Sequence, residues 1–300
     1  MPKKTIKMLI FGLVSLMIAL ALAFGLYIPY LKAYNLVHPQ RATTFKLSPK
    51  DVGISSYEDV QFTTSDGLTL SGWYIPPKNG AVVIFIHGLA ADRLDLLPEA
   101  GFIVAQGYGA LLFDLRANGH SGGNVSTLGY YEPIDVRAAV DFVQYRAGSA
   151  TPVALFGHSM GAGTTLIAAA QIPSVRAVIV ESAFTTLEDN ISDGVKAITG
   201  LPPIPFAPLI VFFGQREAGV DIRAVRPIDV VASISPRAIL FIHGEKDTTI
   251  PVSNAHKLYA AAKEPKQLYI IPNAGHGGFL EVEPKAFPET VLTFLTTYLK

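Results

Sequence analysis

Beyond residue 55 the chain alternates between short uninterrupted apolar runs and longer segments whose apolar residues recur at helical spacing. Such short runs are typical of parallel strands that are buried on both faces of a sheet. The predicted strands are residues 81–86, 109–114, 153–156, 177–180, 238–242 and 267–271, and the predicted helices are residues 134–145, 162–170, 252–262 and 286–298. Strands that alternate with helices predict a doubly wound, mostly parallel α/β sheet.

Two further β-rich runs precede this alternation, at residues 60–64 and 68–74. They are separated by Ser65, Asp66 and Gly67, and Asp-Gly between such runs is a strong hairpin signal. We therefore predict a hairpin at the start of the sheet and expect both of its strands to run antiparallel to the remainder.

The alternation breaks between residues 184 and 235. This stretch contains an apolar, proline-rich run at residues 201–213, which is too short to span a membrane and too rich in proline for an ordinary helix. We predict that an insertion over about residues 185–236 forms a lid above the carboxyl ends of the strands.

The amino-terminal pattern predicts a membrane anchor. Residues 8–31 carry no charge, and as a helix they would extend roughly 36 Å, enough for a hydrocarbon core of about 30 Å. Lysines precede this run and tyrosines follow it: Lys3, Lys4, Lys7, Tyr27, Tyr30 and Tyr34. That arrangement predicts a single-pass anchor over residues 1–31 with a cytoplasmic amino terminus. A linker over residues 32–55 and a domain over residues 56–300, outside the cytoplasm, would follow.

Two other interpretations of the amino terminus stay open. Ala21-Leu22-Ala23 matches the small-residue pattern of a cleavable signal peptide. The apolar run continues to Tyr30, however, and exceeds the roughly 7–15 residues of a secretory apolar region, which favours the uncleaved anchor. The third interpretation is a helix buried in the core.

Composition excludes several classes of protein. Hydrophobic residues make up 50% of the chain and charged residues 16%, which excludes intrinsic disorder. The 24 basic and 24 acidic residues balance, so the basic footprint of a nucleic-acid-binding protein is absent. The sequence has no cysteine, which excludes disulfides, thiolate nucleophiles and zinc-thiolate or iron–sulfur sites. It contains neither a phosphate-binding loop nor a zinc-binding H-E-x-x-H helix, and we expect no metal or organic cofactor.

The pattern G-x-S-x-G at residues 157–161 carries the decisive chemical signal. It lies between a predicted strand and a predicted helix, the context expected of a nucleophile elbow. The glycines allow a sharp turn with Ser159 at its apex, and backbone N–H groups at the start of the helix then point toward a developing oxyanion.

A serine nucleophile needs a base and an acid that orients the base. With such an elbow the chain order is serine, acid, histidine. His276 lies in a glycine-rich loop after the last predicted strand, and we expect it to be the base. Asp247 lies in the loop after the strand at residues 238–242 and is the first choice for the acid, with Glu181 and Glu245 as the other candidates.

An oxyanion hole requires two donors. One should be the N–H of Met160, which follows the nucleophile, and the second should come from the loop after the strand at residues 81–86, for which we choose Leu89. We expect Leu89 and Met160 to line the acyl pocket as well, together with Phe184.

Six motifs together resemble the α/β-hydrolase superfamily, and within it the chain is most similar to the membrane-anchored Bem46-like and serine-aminopeptidase or prolyl-oligopeptidase-like branch. They are HG at 87–88, FDLRANGHSG at 113–122, GHSMG at 157–161, ESAF at 181–184, HGEKD at 243–247 and AGH at 274–276. The resemblance covers roughly residues 56–300. It implies the triad Ser159, Asp247 and His276, and a mostly architectural role for the loop at residues 114–122.

The sequence thus predicts a membrane-tethered serine hydrolase that cleaves small-molecule carboxylic esters through an acyl-enzyme. The apolar insertion and the anchor favour a substrate with an acyl chain, such as a lysolipid or a monoacylglycerol. The second hypothesis is an exopeptidase or amidase, in which a charged group such as Glu188, Asp193 or Glu217 would hold a peptide terminus. The third is a non-catalytic binding protein of the same fold, which a complete triad in the right order disfavours.

Overall fold

A single eight-stranded sheet, in the order β1-β2-β4-β3-β5-β6-β7-β8, organises the described residues. The structure is a computed structural model that describes residues 2–42, 44–200 and 202–299; residues 1, 43, 201 and 300, which fall within predicted segments, lie outside them. Strands β1 to β8 are Glu58–Thr63, Thr69–Ile75, Val82–Ile86, Gly109–Phe113, Val153–His158, Val175–Glu181, Ala238–Gly244 and Lys266–Ile271. Each predicted strand is present, and the doubly wound, mostly parallel sheet is confirmed.

The direction of the first strand differs from our expectation. Strands β3 to β8 run parallel to one another, and β2 pairs antiparallel with β4. Because β1 and β2 form an antiparallel hairpin, β1 runs in the same direction as the parallel strands. Only β2 opposes the rest, since a hairpin reverses the chain between its two strands.

Helices cover both faces of the sheet. Helices α1 to α10 are Lys3–Val37, Leu97–Val104, Glu132–Ala147, Met160–Gln171, Leu187–Thr199, Pro203–Ala218, Pro227–Val230, Ser253–Ala261, Phe279–Val282 and Ala286–Tyr298. Alternate strand residues separate into two cores: Ile84 joins apolar residues of α3 and α4, whereas Phe85 joins those of α2 and α10. This division follows from the two-residue period of a strand.

The order of the strands places a crevice at the carboxyl ends of β3 and β5. The chain passes from β3 to β4 on one side and then crosses to β5 on the other side of β3. In open α/β sheets, ligands bind where the strand order reverses in this way.

The insertion after β6 is helical, so our expectation that its proline-rich run would not form an ordinary helix was wrong. Helix α6 covers most of that run, and its backbone departs from helical geometry at Ile204. Pro203 precedes the regular part of the helix, Pro205 begins it, and Pro208 lies in its first turn. Amide hydrogens near a helix start lack intrahelical acceptors, so prolines cost little there. The backbone N–H of Leu187 donates to Val225 O at 3.0 Å and connects the start of the insertion to its later part.

Helix α1 is the segment of the described chain that is long and apolar enough to cross a membrane, by length and composition, with a mean hydropathy of 2.6 over its most apolar 18 residues. None of that window is buried, which argues against a core helix and fits a membrane anchor or a signal sequence. The helix continues beyond residue 31, where we expected it to end, to Val37. Ala33 and Val37 are buried, and the Tyr30 ring packs edge-on against Phe213 of α6 with centroids 5.6 Å apart.

Candidate active site

Ser159 occupies the sharp turn between strand β5 and helix α4, with φ 54° and ψ −117°. Positive φ is uncommon for a residue other than glycine. The turn is held on both sides, because the Ser159 N–H donates to Glu181 O at 2.9 Å and the Ser159 carbonyl accepts the Ala162 N–H at 3.0 Å. The backbone therefore presents the Ser159 side chain at the carboxyl edge of the sheet.

The glycines of the elbow are required by close backbone contacts. A Cβ on Gly161 would lie 2.2 Å from Ile86 O and 2.4 Å from His87 O, at the end of β3. A Cβ on Gly157 would lie 2.3 Å from Thr165 Oγ1. The glycine at 161 therefore allows helix α4 to lie directly against the end of β3, and the glycine at 157 allows it to lie against the end of β5.

The structure brings Ser159, His276 and Asp247 together. Ser159 Oγ is 2.8 Å from His276 Nε2, and His276 Nδ1 is 2.8 Å from Asp247 Oδ2. An ionised carboxylate only accepts hydrogen bonds, so the Nδ1–H of His276 donates to Asp247 and leaves Nε2 free to accept the serine proton. The three residues predicted from their order in the chain therefore form one continuous hydrogen-bonded relay.

Asp247 is held in its ionised form. Burial by itself would raise the pKa of its carboxyl, but hydrogen bonds from His243 and His276 and from the backbone bring that pKa well below its usual range. Its second oxygen, Oδ1, accepts the N–H groups of Thr249 and Ile250, each at 2.9 Å. The carboxylate is thus oriented as well as charged.

Sequence reasoning assigned no role to His243, which lies near the end of strand β7. Its ring is fully buried, and Nε2 lies 2.8 Å from Ile250 O and 3.3 Å from Asp247 Oδ2. A carbonyl only accepts, so Nε2 carries a hydrogen that holds the Asp247 loop. The four-residue spacing between His243 and Asp247 was the available signal.

The other two candidate acids lie elsewhere. Glu245 Oε2 accepts the Asn273 N–H at 3.1 Å on an exposed loop. Glu181 is buried beneath the elbow. Among the described residues neither carboxylate is hydrogen-bonded to His276. In the same part of the chain, no group of three or more metal-ligating side chains is arranged to hold a metal ion.

Of the two predicted oxyanion donors, Met160 directly follows Ser159, and Leu89 follows Gly88, whose Cβ position would be 3.3 Å from Ser159 Cβ. Met160 begins helix α4, and Leu89 lies in the loop after β3. Within the described ranges, neither N–H has a protein acceptor, whereas the neighbouring N–H of Gly88 donates to Asp95 Oδ2 at 2.7 Å. The Leu89 and Met160 amides are therefore not committed to another hydrogen bond within the described residues.

Phe184 does not lie where we expected it. Its side chain is 1% exposed, and a Cβ on Gly163 would come within 2.6 Å of its ring. The ring is therefore packed against helix α4 instead of lining an accessible acyl pocket. Met160 is also buried, and Leu89 is partly exposed.

The chain is similar to known proteins over most of its length. A model of the Alpha/beta hydrolase family matches residues 83–290. The uncharacterized protein YfhR of Escherichia coli (strain K12) is 30% identical over 254 residues, which cover 81% of this chain and 82% of YfhR. The uncharacterized protein YqkD of Bacillus subtilis (strain 168) is 29% identical over 232 residues, 76% of each chain. The structure of the Pyrococcus furiosus esterase Pf2001 superposes on this chain with a TM-score of 0.75 and a sequence identity of 26%. The match covers 88% of this chain and 99% of the esterase.

The contact at Gly161 generates a prediction. Gly161→Ala should push helix α4 away from β3 and displace Ser159, because the new methyl group would meet two backbone oxygens. We expect the rate at which a fluorophosphonate labels the protein to fall about 100-fold, the scale of loss from a 1 Å misplacement.

The matched control is Gly194→Ala on α5, where a Cβ meets nothing within 4 Å, and which should be labelled like the wild type. Circular dichroism would verify that both variants retain their helices. Wild-type labelling of a folded Gly161→Ala protein would contradict this account of the elbow.

Proposed function

Because the chain belongs to the alpha/beta hydrolase family, we propose that it is a membrane-anchored serine hydrolase that cleaves carboxylic esters. The observation that carries this proposal is the relay of two 2.8 Å contacts from Ser159 Oγ through His276 to Asp247. A serine hydroxyl is a weak nucleophile until a base takes its proton, and the relay supplies that base in the correct tautomer.

The reaction follows from these contacts. His276 Nε2 takes the hydroxyl proton as Ser159 Oγ bonds to the ester carbonyl carbon, and the Leu89 and Met160 amides bind the oxyanion that forms. The carbon–oxygen bond to the alcohol then breaks, and His276 returns the proton to the leaving oxygen. Water, deprotonated by His276, attacks the acyl-enzyme, and the acid leaves as Ser159 recovers its proton. Asp247 stabilises the imidazolium in each half of the reaction.

The esterase of Pyrococcus furiosus, 26% identical to this chain, supports an ester as the substrate. The exopeptidase alternative requires a charged group to hold a peptide terminus. Glu217 Oε2 instead faces His38 Nε2 at 3.4 Å, at the end of α1, and Glu188 and Asp193 lie on the outer helix α5. No contact among these residues favours the peptidase.

The contact between α1 and the insertion supports a lipid ester. Tyr30 packs on Phe213, and His38 faces Glu217, so α6 is attached to the last turns of the anchor. Two large apolar residues of α6 are exposed, Ile204 at 75% and Phe212 at 49%. With α1 in a bilayer, α6 would lie at the membrane surface, where these side chains would contact lipid. An acyl chain would then reach the site from the membrane.

The first test is fluorophosphonate labelling of the full-length protein beside Ser159→Ala, with the exposed-serine variant Ser233→Ala as the control. We expect the wild type and Ser233→Ala to be labelled and Ser159→Ala to remain unlabelled. In a panel of p-nitrophenyl esters, vesicle-borne monoacylglycerols and aminoacyl amides, we expect hydrolysis of esters, with long acyl chains in vesicles preferred.

Three outcomes would count against the proposal. Faster cleavage of aminoacyl amides than of esters would make the protein an exopeptidase. Substrate binding without labelling would favour the non-catalytic alternative. Equal rates with short soluble and long vesicle-borne esters would remove the preference for lipid.

Anchoring is tested by extracting cell membranes with alkaline carbonate. An uncleaved transmembrane helix should keep the intact 32.2 kDa chain in the pellet, because carbonate strips peripheral proteins only. A soluble product that begins after Ala23, identified by its mass, would contradict the anchor and indicate a cleaved signal peptide.

A further inference from the structure

An ion pair next to the relay contacts three loops of the candidate site. Asp95 Oδ2 accepts the N–H of Gly88 at 2.7 Å, in the loop that carries Leu89. The same oxygen lies 3.0 Å from His158 Nδ1, in the elbow. His158 Nε2 lies 3.0 Å from the backbone oxygen of His276. These contacts connect the segments that follow β3 and β8 with the last residue of β5.

We propose that Asp95 and His158 are positioning residues that hold the oxyanion loop, the nucleophile and the base in register for ester cleavage. The inference rests on the proposed function, because it explains how that site is kept in order. Neither residue is required to touch the substrate; each acts through the backbone of a neighbouring loop.

The geometry defines the charge of His158. Its Nδ1 faces a carboxylate and its Nε2 faces a carbonyl, and both groups accept hydrogen bonds. Both ring nitrogens must therefore carry hydrogen, which makes the ring an imidazolium cation. Burial by itself would raise the pKa of Asp95, but the hydrogen bonds from His158 and from the Gly88 N–H lower it, which keeps the carboxylate ionised opposite this ring.

Two glycines lie close to the His158 ring. A Cβ on Gly277 would lie 3.4 Å from His158 Nε2, and one on Gly88 would lie 3.5 Å from His158 Nδ1 and 3.3 Å from Ser159 Cβ. Both Cβ positions would be in ordinary van der Waals contact with the ring, so the backbones of Gly88 and Gly277 lie beside the imidazole. A ring that lost one hydrogen bond would release the loop that carries His276.

The ionisable groups around His158 are Asp95, Glu99 on α2, Glu181 at the end of β6, His87 and His276, whose ring centroid is 5.1 Å away. Burial by itself would lower the pKa of His158, but the hydrogen bond and the charge of Asp95 raise it to about 9. Burial raises the pKa of Glu99 to about 7 and that of Glu181 well above its usual range.

We expect the hydrogen bonds made by His158, and with them the activity, to depend on pH. His158 has its pKa raised above the ordinary value of 6.5, so the folded protein keeps the imidazolium through neutral pH. As the pH rises through about 9, the ring loses one proton and can no longer donate to both Asp95 and the backbone oxygen of His276. Activity should decline over the same range, because the carbonyl of His276 loses its donor.

The test uses the full-length protein and compares His158→Gln, Asp95→Asn and the double variant with His256→Gln, which alters an exposed histidine on α8. The readouts are the rate of fluorophosphonate labelling and kcat/KM for a short p-nitrophenyl ester between pH 6 and pH 10. Each single variant should lose about 10- to 100-fold, and the double variant no more than either single variant, because the residues act as a unit. His256→Gln should behave like the wild type.

The pH profiles separate positioning from a general loss of structure. The decline of the wild type near pH 9 should be absent in His158→Gln. In Asp95→Asn it should move to lower pH by about one unit or more, since the counter-charge is removed. Thermal unfolding identifies any variant that fails to fold. If His158→Gln fails to fold, the pH profiles of the wild type and Asp95→Asn still test the inference.

The inference would be overturned by wild-type rates in folded His158→Gln, by losses that multiply in the double variant, or by an unmoved decline in Asp95→Asn. Its failure is distinguishable from failure of the proposed function. If the wild type is never labelled, the proposed hydrolase function is wrong. If the wild type is labelled and the variants are unaffected, only the positioning role of Asp95 and His158 is wrong.

Discussion

The backbone contact between helix α4 and the end of strand β3 is the constraint on which the site depends. Gly161 lies so close to the carbonyls of Ile86 and His87 that a methyl group would come within 2.4 Å of both. This contact sets where the helix begins, and the turn before it then leaves Ser159 at a positive φ. The strain of such a residue is sustained only by a surrounding structure that over-determines it. Here a hydrogen bond from Ser159 to Glu181 and the start of α4 provide that support.

The parallel sheet explains why residues far apart in the chain meet at this serine. Each contributing loop follows the carboxyl end of a strand: Leu89 after β3, Ser159 after β5, Asp247 after β7 and His276 after β8. The reversal of strand order at β3 opens the crevice at the same place. Hydrogen bonds then orient the residues, since Asp247 is fixed by two backbone amides and directs His276 toward Ser159. The relay is therefore oriented by contacts within the protein, which is the basis of electrostatic preorganisation.

Much of this arrangement could be predicted from the sequence, because local patterns carried it. The buried strands are visible as short apolar runs, and the elbow has the G-x-S-x-G spacing of its glycines and serine. Features that depend on tertiary contacts could not be predicted. They are the helical conformation of α6, in which the prolines lie at or near its start, the direction of β1, and the packing of Phe184 on α4. Asp95 was also missed, since nothing local marks a carboxylate that meets His158 across 63 positions. The Bem46-like branch, the uncleaved anchor and the lipid substrate stay predictions.

The most direct measurement of the central claim is to locate the acyl group during turnover. The full-length protein would be mixed with a p-nitrophenyl ester whose acyl group is released slowly, quenched in acid, digested and analysed by mass spectrometry. The relay from Ser159 through His276 to Asp247 predicts one acyl group, on the peptide that contains Ser159. Hydrolysis without an acylated Ser159, or an acyl group on another side chain, would contradict it.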